Sequence, residues 1–178
     1  MKKKLVTEMG RMGRDEFATS SKLPLTVVLD NIRSLHNVGS VFRTSDAFRV
    51  ERVVLCGITA TPPSAEIHKT ALGAEDVVSW QYFSDTIEAV EALRADGYAI
   101  FSIEQVEESI PLQNFKVEEG ARYAVILGNE VKGVQQAVVD ASDGSIEIPQ
   151  FGTKHSLNVS VTAGMVIWEF ARKLGWVL

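Results

Sequence analysis

Three short segments of this 178-residue chain concentrate the side chains that could do chemistry, and each begins where an apolar run stops. The first, Asn31 to Phe48, holds Asn37 and Arg43. The second, Ile126-Leu127-Gly128-Asn129-Glu130-Val131-Lys132-Gly133-Val134, sets a polar tetrad between two glycines, a pattern suited to a tight turn approaching a ligand. The third runs from Ile146 through Ile148-Pro149 to Ser156-Leu157-Asn158-Val159. A guanidinium can clamp a phosphate and stabilise developing negative charge, while carboxylate and amide groups orient partners through hydrogen bonds. Each residue also has a plain structural reading. Arg43 lies off the core-facing stripe of its helix and suits solvent, Glu130 could be a surface or capping carboxylate, and Ser156 could cap a helix.

The elements that must position these groups are legible as alternating strand and helix. Leu25–Leu29, Val53–Leu55, Tyr98–Phe101 and Tyr123–Leu127 read as buried strands, with a shorter one within Val77–Phe83 and a short apolar β run at Ile146–Ile148. Helical patterns fall near 38–48, 64–72, 85–96, 133–141 and 157–174. Such alternation predicts an α/β domain, a mostly parallel sheet with helices on both faces. In such sheets ligands sit at the carboxyl ends of strands, where all three polar segments begin. Residues 1–22 read as a basic N-terminal arm or short helix and 23–178 as one domain, with 104–120 an exposed connection. In the last helix Val159, Ala163, Val166, Ile167, Phe170 and Leu174 form one apolar stripe, and Val161, Met165 and Trp168 a second beside it. A helix apolar over so much of its circumference is central in a core or shared with another subunit, and its place at the chain end favours the shared interface.

Composition narrows the partners. The net charge of −5 speaks against RNA, but Asp85–Glu119 alone carries −7, leaving +2 over the rest, and residues 1–22 hold six Lys or Arg against three acids. Screening over about 8 to 10 Å makes charge a local property, so one basic face remains available. The single cysteine, Cys56, lies in an apolar run and reads as a buried, inert thiol in a reducing compartment. No signal peptide, membrane span or dinucleotide fingerprint is present, and the cytoplasm is the simplest address. His36, His68 and His155 lack metal-ligand spacing, so no metal is expected; His155 belongs to the third segment, but a surface position suits it better.

Taken together, the three segments resemble the signature motifs of the SpoU/TrmH branch of the SPOUT methyltransferases, in order, from about Leu25 to Leu174. The match comprises an Asn, Gly and Arg after the first strand, then G-N-E-x-x-G, then I-P followed by S-L-N-V at the final helix. Ala65 to Asp76 also resembles the family's stretch between its first two motifs. The resemblance implies a deep C-terminal trefoil knot, which topology rules alone would not suggest. It implies S-adenosylmethionine as cofactor, held by Leu127, Gly128, Asn129, Glu130, Ile148, Ser156 and Leu157. It implies a homodimer whose site is completed across the interface, with Asn37, Arg43, Glu130, Ser156 and Asn158 as the active-site set. The reaction would be methyl transfer to a ribose 2′-hydroxyl of RNA, tRNA before rRNA.

Arg43 occupies the position that the resemblance casts as a base. Arginine titrates at about 12.5 or above, and poising one near neutrality exceeds the roughly 3 to 5 pH units that full burial achieves. A cation that clamps phosphate and stabilises the forming oxyanion is the better role, leaving the proton to a phosphate, water or another group. The alternative class is a non-catalytic knotted module that binds RNA or cofactor, which loss of the polar motif residues would have signalled.

Overall fold

The computed structural model describes residues 1–5, 8 and 10–177. Its elements in chain order are α1 (Arg14–Thr19), β1 (Leu23–Asp30), α2 (Leu35–Ala47), β2 (Val50–Cys56), α3 (Ala65–Ala71), β3 (Trp80–Phe83), α4 (Thr86–Ala95), β4 (Tyr98–Ile103), β5 (Ile110–Pro111), β6 (Arg122–Leu127), α5 (Gln136–Ala141), β7 (Gly144–Glu147) and α6 (Val159–Lys173). All seven strands form one sheet in the order β3-β2-β1-β6-β4-β7-β5, and every pairing is parallel.

Side chains alternate across a strand, so the continuous apolar runs of β1 and β6 supply two cores. Leu25, Val27 and Leu29 face the larger one, built with Val38, Val41 and Phe42 of α2 and Ala163, Val166, Ile167 and Phe170 of α6. Val28, Ala124 and Ile126 face the other, covered by Ala89, Val90 and Leu93 of α4 and Val138 of α5. Cys56 lies in this second core, and burial pushes its thiol up to about 12, against a smaller opposing effect of the Thr86 hydroxyl. Such a thiol is inert.

Several elements depart from the periodicity. The strand expected in 77–83 begins only at Trp80, because Ala74–Asp76 closes a 3₁₀ turn first. The connection 104–120 contributes a two-residue strand, β5, pairing with β7. Within residues 1–22, Phe17 of α1 packs into the larger core, so that part of the basic segment is joined to the domain. Val6, Thr7 and Met9 of the expected arm, and Leu178, lie outside the described residues. No helix among the described residues is long and apolar enough to cross a membrane.

The sheet order places the site. After β1, β2 and β3 extend the sheet to one side and β4 starts the other, and β6 then inserts between β1 and β4. The carboxyl ends of β1, β4, β6 and β7 therefore converge at a point where the strand order reverses, where open parallel sheets bind ligands.

Candidate active site

The loop after β6 is shaped by its two glycines. A Cβ at Gly128 would lie 2.1 Å from the backbone of both Gly133 and Val134, so only glycine permits the chain to fold back on itself there. Asn129 and Gly133 close the loop through reciprocal backbone hydrogen bonds of 3.0 and 2.9 Å. The Asn129 side chain accepts from Val131 N and Lys132 N and donates to Asn31 O at 2.7 Å. Asn31 itself adopts a left-handed conformation, φ 56°, at the end of β1, and its Oδ1 accepts from Ile58 N. Asn is among the few residues that adopt this conformation readily.

From this loop Glu130 reaches the start of α2. Its Oε2 accepts from Arg33 N at 3.0 Å, and Oε1 accepts from Ser34 N at 3.0 Å and from the Asn37 amide at 3.1 Å. Partial burial pushes the Glu130 carboxyl up. The N–H groups of Arg33, Glu130 itself and Ser34, with the Asn37 amide, outweigh that and hold it below the ordinary glutamate value. Asn37 Oδ1 accepts from Asn158 Nδ2 at 3.3 Å, while Asn158 Oδ1 caps α6 by accepting from Ser160 N at 2.9 Å. One chain of hydrogen bonds thus joins Glu130, Asn37 and Asn158, one residue from each polar segment. The cap of α6 is Asn158 rather than Ser156.

Beneath this network lies a cavity of about 300 Å³. Gly128, Asn129, Glu130, Ile148, Ser156, Leu157 and Asn158 all line it. His155 lines it too, although it is also exposed as its surface reading held. Leu127 does not: as the last residue of β6 it turns its side chain into the core, 1% exposed. Nor does Arg43. It stands six positions beyond Asn37 on α2, about 9 Å along the helix and about 120° around it, and is exposed outside the network.

Sequence reasoning missed three residues. Asp30 is fully buried at the end of β1, where its oxygens accept from the Thr86 hydroxyl, the Asn31 amide, and the backbone and side chain of Gln135. A charge terminating an apolar strand was the available signal. Asn31 was inside the first segment but carried no periodic cue. Glu104 lines the cavity from the end of β4, in a stretch that reads as exposed connection.

The cavity's chemistry is selective. Three carboxylates, Glu104, Glu130 and Glu147, line it with apolar Ile103, Ile148 and Leu157, and no lysine or arginine does. Such a wall disfavours phosphates and suits a ligand with an apolar body and positive charge.

The chain matches the SpoU rRNA Methylase family over residues 24–168. It is 31% identical to the 23S rRNA (guanosine-2′-O-)-methyltransferase RlmB of Neisseria meningitidis serogroup B, over 89% of this chain and 62% of that protein. It is 29% identical to the tRNA (guanosine(18)-2′-O)-methyltransferase of Thermus thermophilus, over 94% of this chain and 84% of that one. The chain spans only 61% to 64% of the length of several curated relatives, the Neisseria protein among them. The crystal structure of the TrmH/SpoU tRNA modifying enzyme of A. aeolicus superposes with a TM-score of 0.77 at 26% identity, covering 92% of this chain and 81% of that one.

Proposed function

The chain belongs to the SpoU rRNA Methylase family, and from that premise we propose that it methylates a ribose 2′-hydroxyl of RNA with S-adenosylmethionine, tRNA ahead of rRNA. The observation that carries this reading is the cavity beside the Glu130–Asn37–Asn158 network, walled by carboxylates and apolar side chains without a lysine or arginine. Its size falls at the lower end of the roughly 300–1,000 Å³ typical of small-molecule sites. S-adenosylmethionine is an adenosine carrying a sulfonium, an ammonium and a carboxylate, and its two cationic groups and apolar stem suit that lining. Gly128, Asn129, Ile148, Ser156 and Leu157 would hold it, and when bound it supplies an electrophilic methyl group. A C-terminal knot, formed as 146–158 passes beside the loop 128–134, is part of the same reading.

The chain's own residues then orient and stabilise. Glu130 and Asn158, which both line the cavity, hold the Asn37 amide from both sides. Fixed dipoles are effective because they need not reorganise during reaction. Arg43 acts as a cation on RNA phosphate and on the negative charge developing at the 2′-oxygen. Since it does not line its own cavity, a second copy of the chain supplies it. The exposed stripe Val161, Met165 and Trp168 on α6 is the surface for that homodimer, and Trp168 packs edge-on against Phe48 at the end of α2, 5.8 Å between centroids. Lys2, Lys3, Lys4, Arg11 and Arg14 contact RNA phosphates, and an RNA substrate of this kind places the reaction in the cytoplasm. Isothermal titration with S-adenosylmethionine, then transfer of labelled methyl to bulk cellular RNA, tests the reading. Failure to bind the cofactor would refute it, and binding without transfer would leave only a binding module. Mapping 2′-O-methyl sites with and without the protein identifies the substrate.

A further inference from the structure

Glu104 stands on the cavity wall from outside the three motif segments. It is half-buried just past β4, and two backbone groups hold it: Oε2 accepts from Val134 N at 3.0 Å and Oε1 from Gln105 N at 2.9 Å. The loop approaches it so closely that a Cβ on Gly133 would lie 2.2 Å from Oε2, and Gly133 occupies the left-handed region, φ 69°. A fixed negative charge therefore faces the cavity, joined to the same loop that carries Glu130. The two carboxylates differ in their covering. Glu130 is engaged by three N–H donors that tie it to the start of α2, whereas Glu104 is engaged by two that tie it to the loop and to its own strand end.

We propose that Glu104 makes the cavity prefer the cationic methyl donor over its neutral by-product, S-adenosylhomocysteine. The inference rests on the cofactor reading above. In methyl transfer the S–CH₃ bond breaks with its electron pair remaining on sulfur, the O–CH₃ bond forms, and the hydroxyl proton leaves to an acceptor outside the cofactor. The sulfonium becomes a thioether, so the bound molecule loses one positive charge. A carboxylate fixed in a partly dehydrated wall attracts the charged form and is nearly indifferent to the neutral one, because Coulomb attraction at an effective dielectric near 20 remains large across a few ångströms. Reaction itself thereby loosens the hold on what remains in the cavity.

The two ligands share adenosine, amino and carboxylate groups, so their affinity ratio isolates the charge at sulfur from the shape of the site. Isothermal titration of the full chain with each ligand, in the wild type, Glu104→Gln, Glu104→Asp and Glu147→Gln, tests the proposal. Glutamine retains an oxygen to accept from Val134 N, so the loop keeps its support. We expect Glu104→Gln to reduce the preference for S-adenosylmethionine over S-adenosylhomocysteine by about five-fold or more. Glu104→Asp should keep most of that preference, and Glu147→Gln, which neutralises the same wall without touching the loop, should change it far less. An unchanged ratio in Glu104→Gln overturns the proposal, as does an equal shift in Glu147→Gln. Loss of both ligands together in Glu104→Gln would assign the residue to loop support alone and overturn it equally. A wild-type chain that binds neither ligand defeats the cofactor reading instead, which separates the two failures.

Discussion

Glu130 accepts the Asn37 side-chain amide at 3.1 Å across 93 positions of sequence, and this bond locks the loop after β6 to the first turn of α2. With Arg33 N and Ser34 N on the same carboxylate, the contact satisfies orphan donors at a helix start as well as positioning the site. Because these donors favour the ionised form, Glu130 is held below its ordinary value of 4.5. A carboxylate depressed on folding contributes stability above its unfolded pKa, and that contribution is lost as pH falls through the folded value. The melting temperature of the wild type should therefore exceed that of Glu130→Gln by a constant margin at neutral pH, and the margin should shrink below about pH 4.5. A margin independent of pH would show that the charge contributes nothing and only the shape of the side chain matters.

Arg43 gives the opposite pattern. It is exposed and outside the hydrogen-bonded network, so Arg43→Ala should change stability by no more than about 0.5 kcal/mol, as ordinary surface substitutions do. S-adenosylmethionine affinity should stay within a few-fold, while methyl transfer should fall by at least about a hundred-fold, a typical loss for an electrostatic group. Single-turnover assays with saturating cofactor separate the two effects. Near-normal turnover removes Arg43 from the chemistry.

The contrast between these residues explains what could be read before the structure. The runs that became β1 and β6 are apolar on both faces because each strand sits between two cores, so they stand out in sequence. Strand β5 is two residues long and ends in proline, which leaves no period to detect. The residues of the three polar segments were visible as types, and Glu130, Asn37 and Asn158 do meet. What joins them is not sequential. Asp30 matters because Thr86 and Gln135, far apart in the chain, converge on it, and Glu104 because a loop 30 residues later folds over it. Leu127 belongs to the expected cofactor set, and its side chain packs into the larger core rather than lining the cavity.

Gly39 of the first motif illustrates a structural duty inside a functional pattern. A Cβ there would lie 2.2 Å from Ile67 O and from Thr70 Oγ1, so glycine lets α2 and α3 pack closely. Gly39→Ala should destabilise the chain by about 1 to 3 kcal/mol, the usual cost of overpacking, measured by urea denaturation. Because Gly39 does not line the cavity, the folded fraction should bind S-adenosylmethionine with little change. Gly128→Ala should instead abolish that binding, since the methyl group would displace the backbone of 133 and 134. Equal effects of the two substitutions on affinity would contradict this division.

The basic segment can be tested while Phe17, which packs into the larger core, is left in place. Deleting residues 1–13 removes Lys2, Lys3, Lys4 and Arg11 and leaves α1 in place. If these side chains contact phosphates of a single-stranded region, the slope of log affinity against log salt should flatten by about 0.7 per lost contact. Filter binding with tRNA over a salt series measures it. An unchanged slope would mean that the segment does not touch RNA.

Dimerisation is the prediction on which the site's completion depends. On α6, Val159, Ala163, Val166, Ile167 and Phe170 are buried, while Val161, Met165 and Trp168 remain between 42% and 52% exposed. Fully burying such a side chain is worth about 1.5 to 3 kcal/mol, and these are already half covered, so each retains roughly half of that to gain. A two-fold contact uses each residue twice, which multiplies the contribution of a short stripe. Replacing Met165 and Trp168 with glutamate should therefore give a monomer in analytical ultracentrifugation. Trp168 also packs against Phe48 of its own chain, so Met165→Glu alone is the cleaner comparison and should shift the equilibrium in the same direction. The fold should survive in both, because the buried stripe is untouched. Methyl transfer should fall with dimer content if, as proposed, a second copy supplies Arg43 to the cavity. A double variant that remains dimeric would place the interface on another face, and a fully active monomer would show that each chain completes its own site.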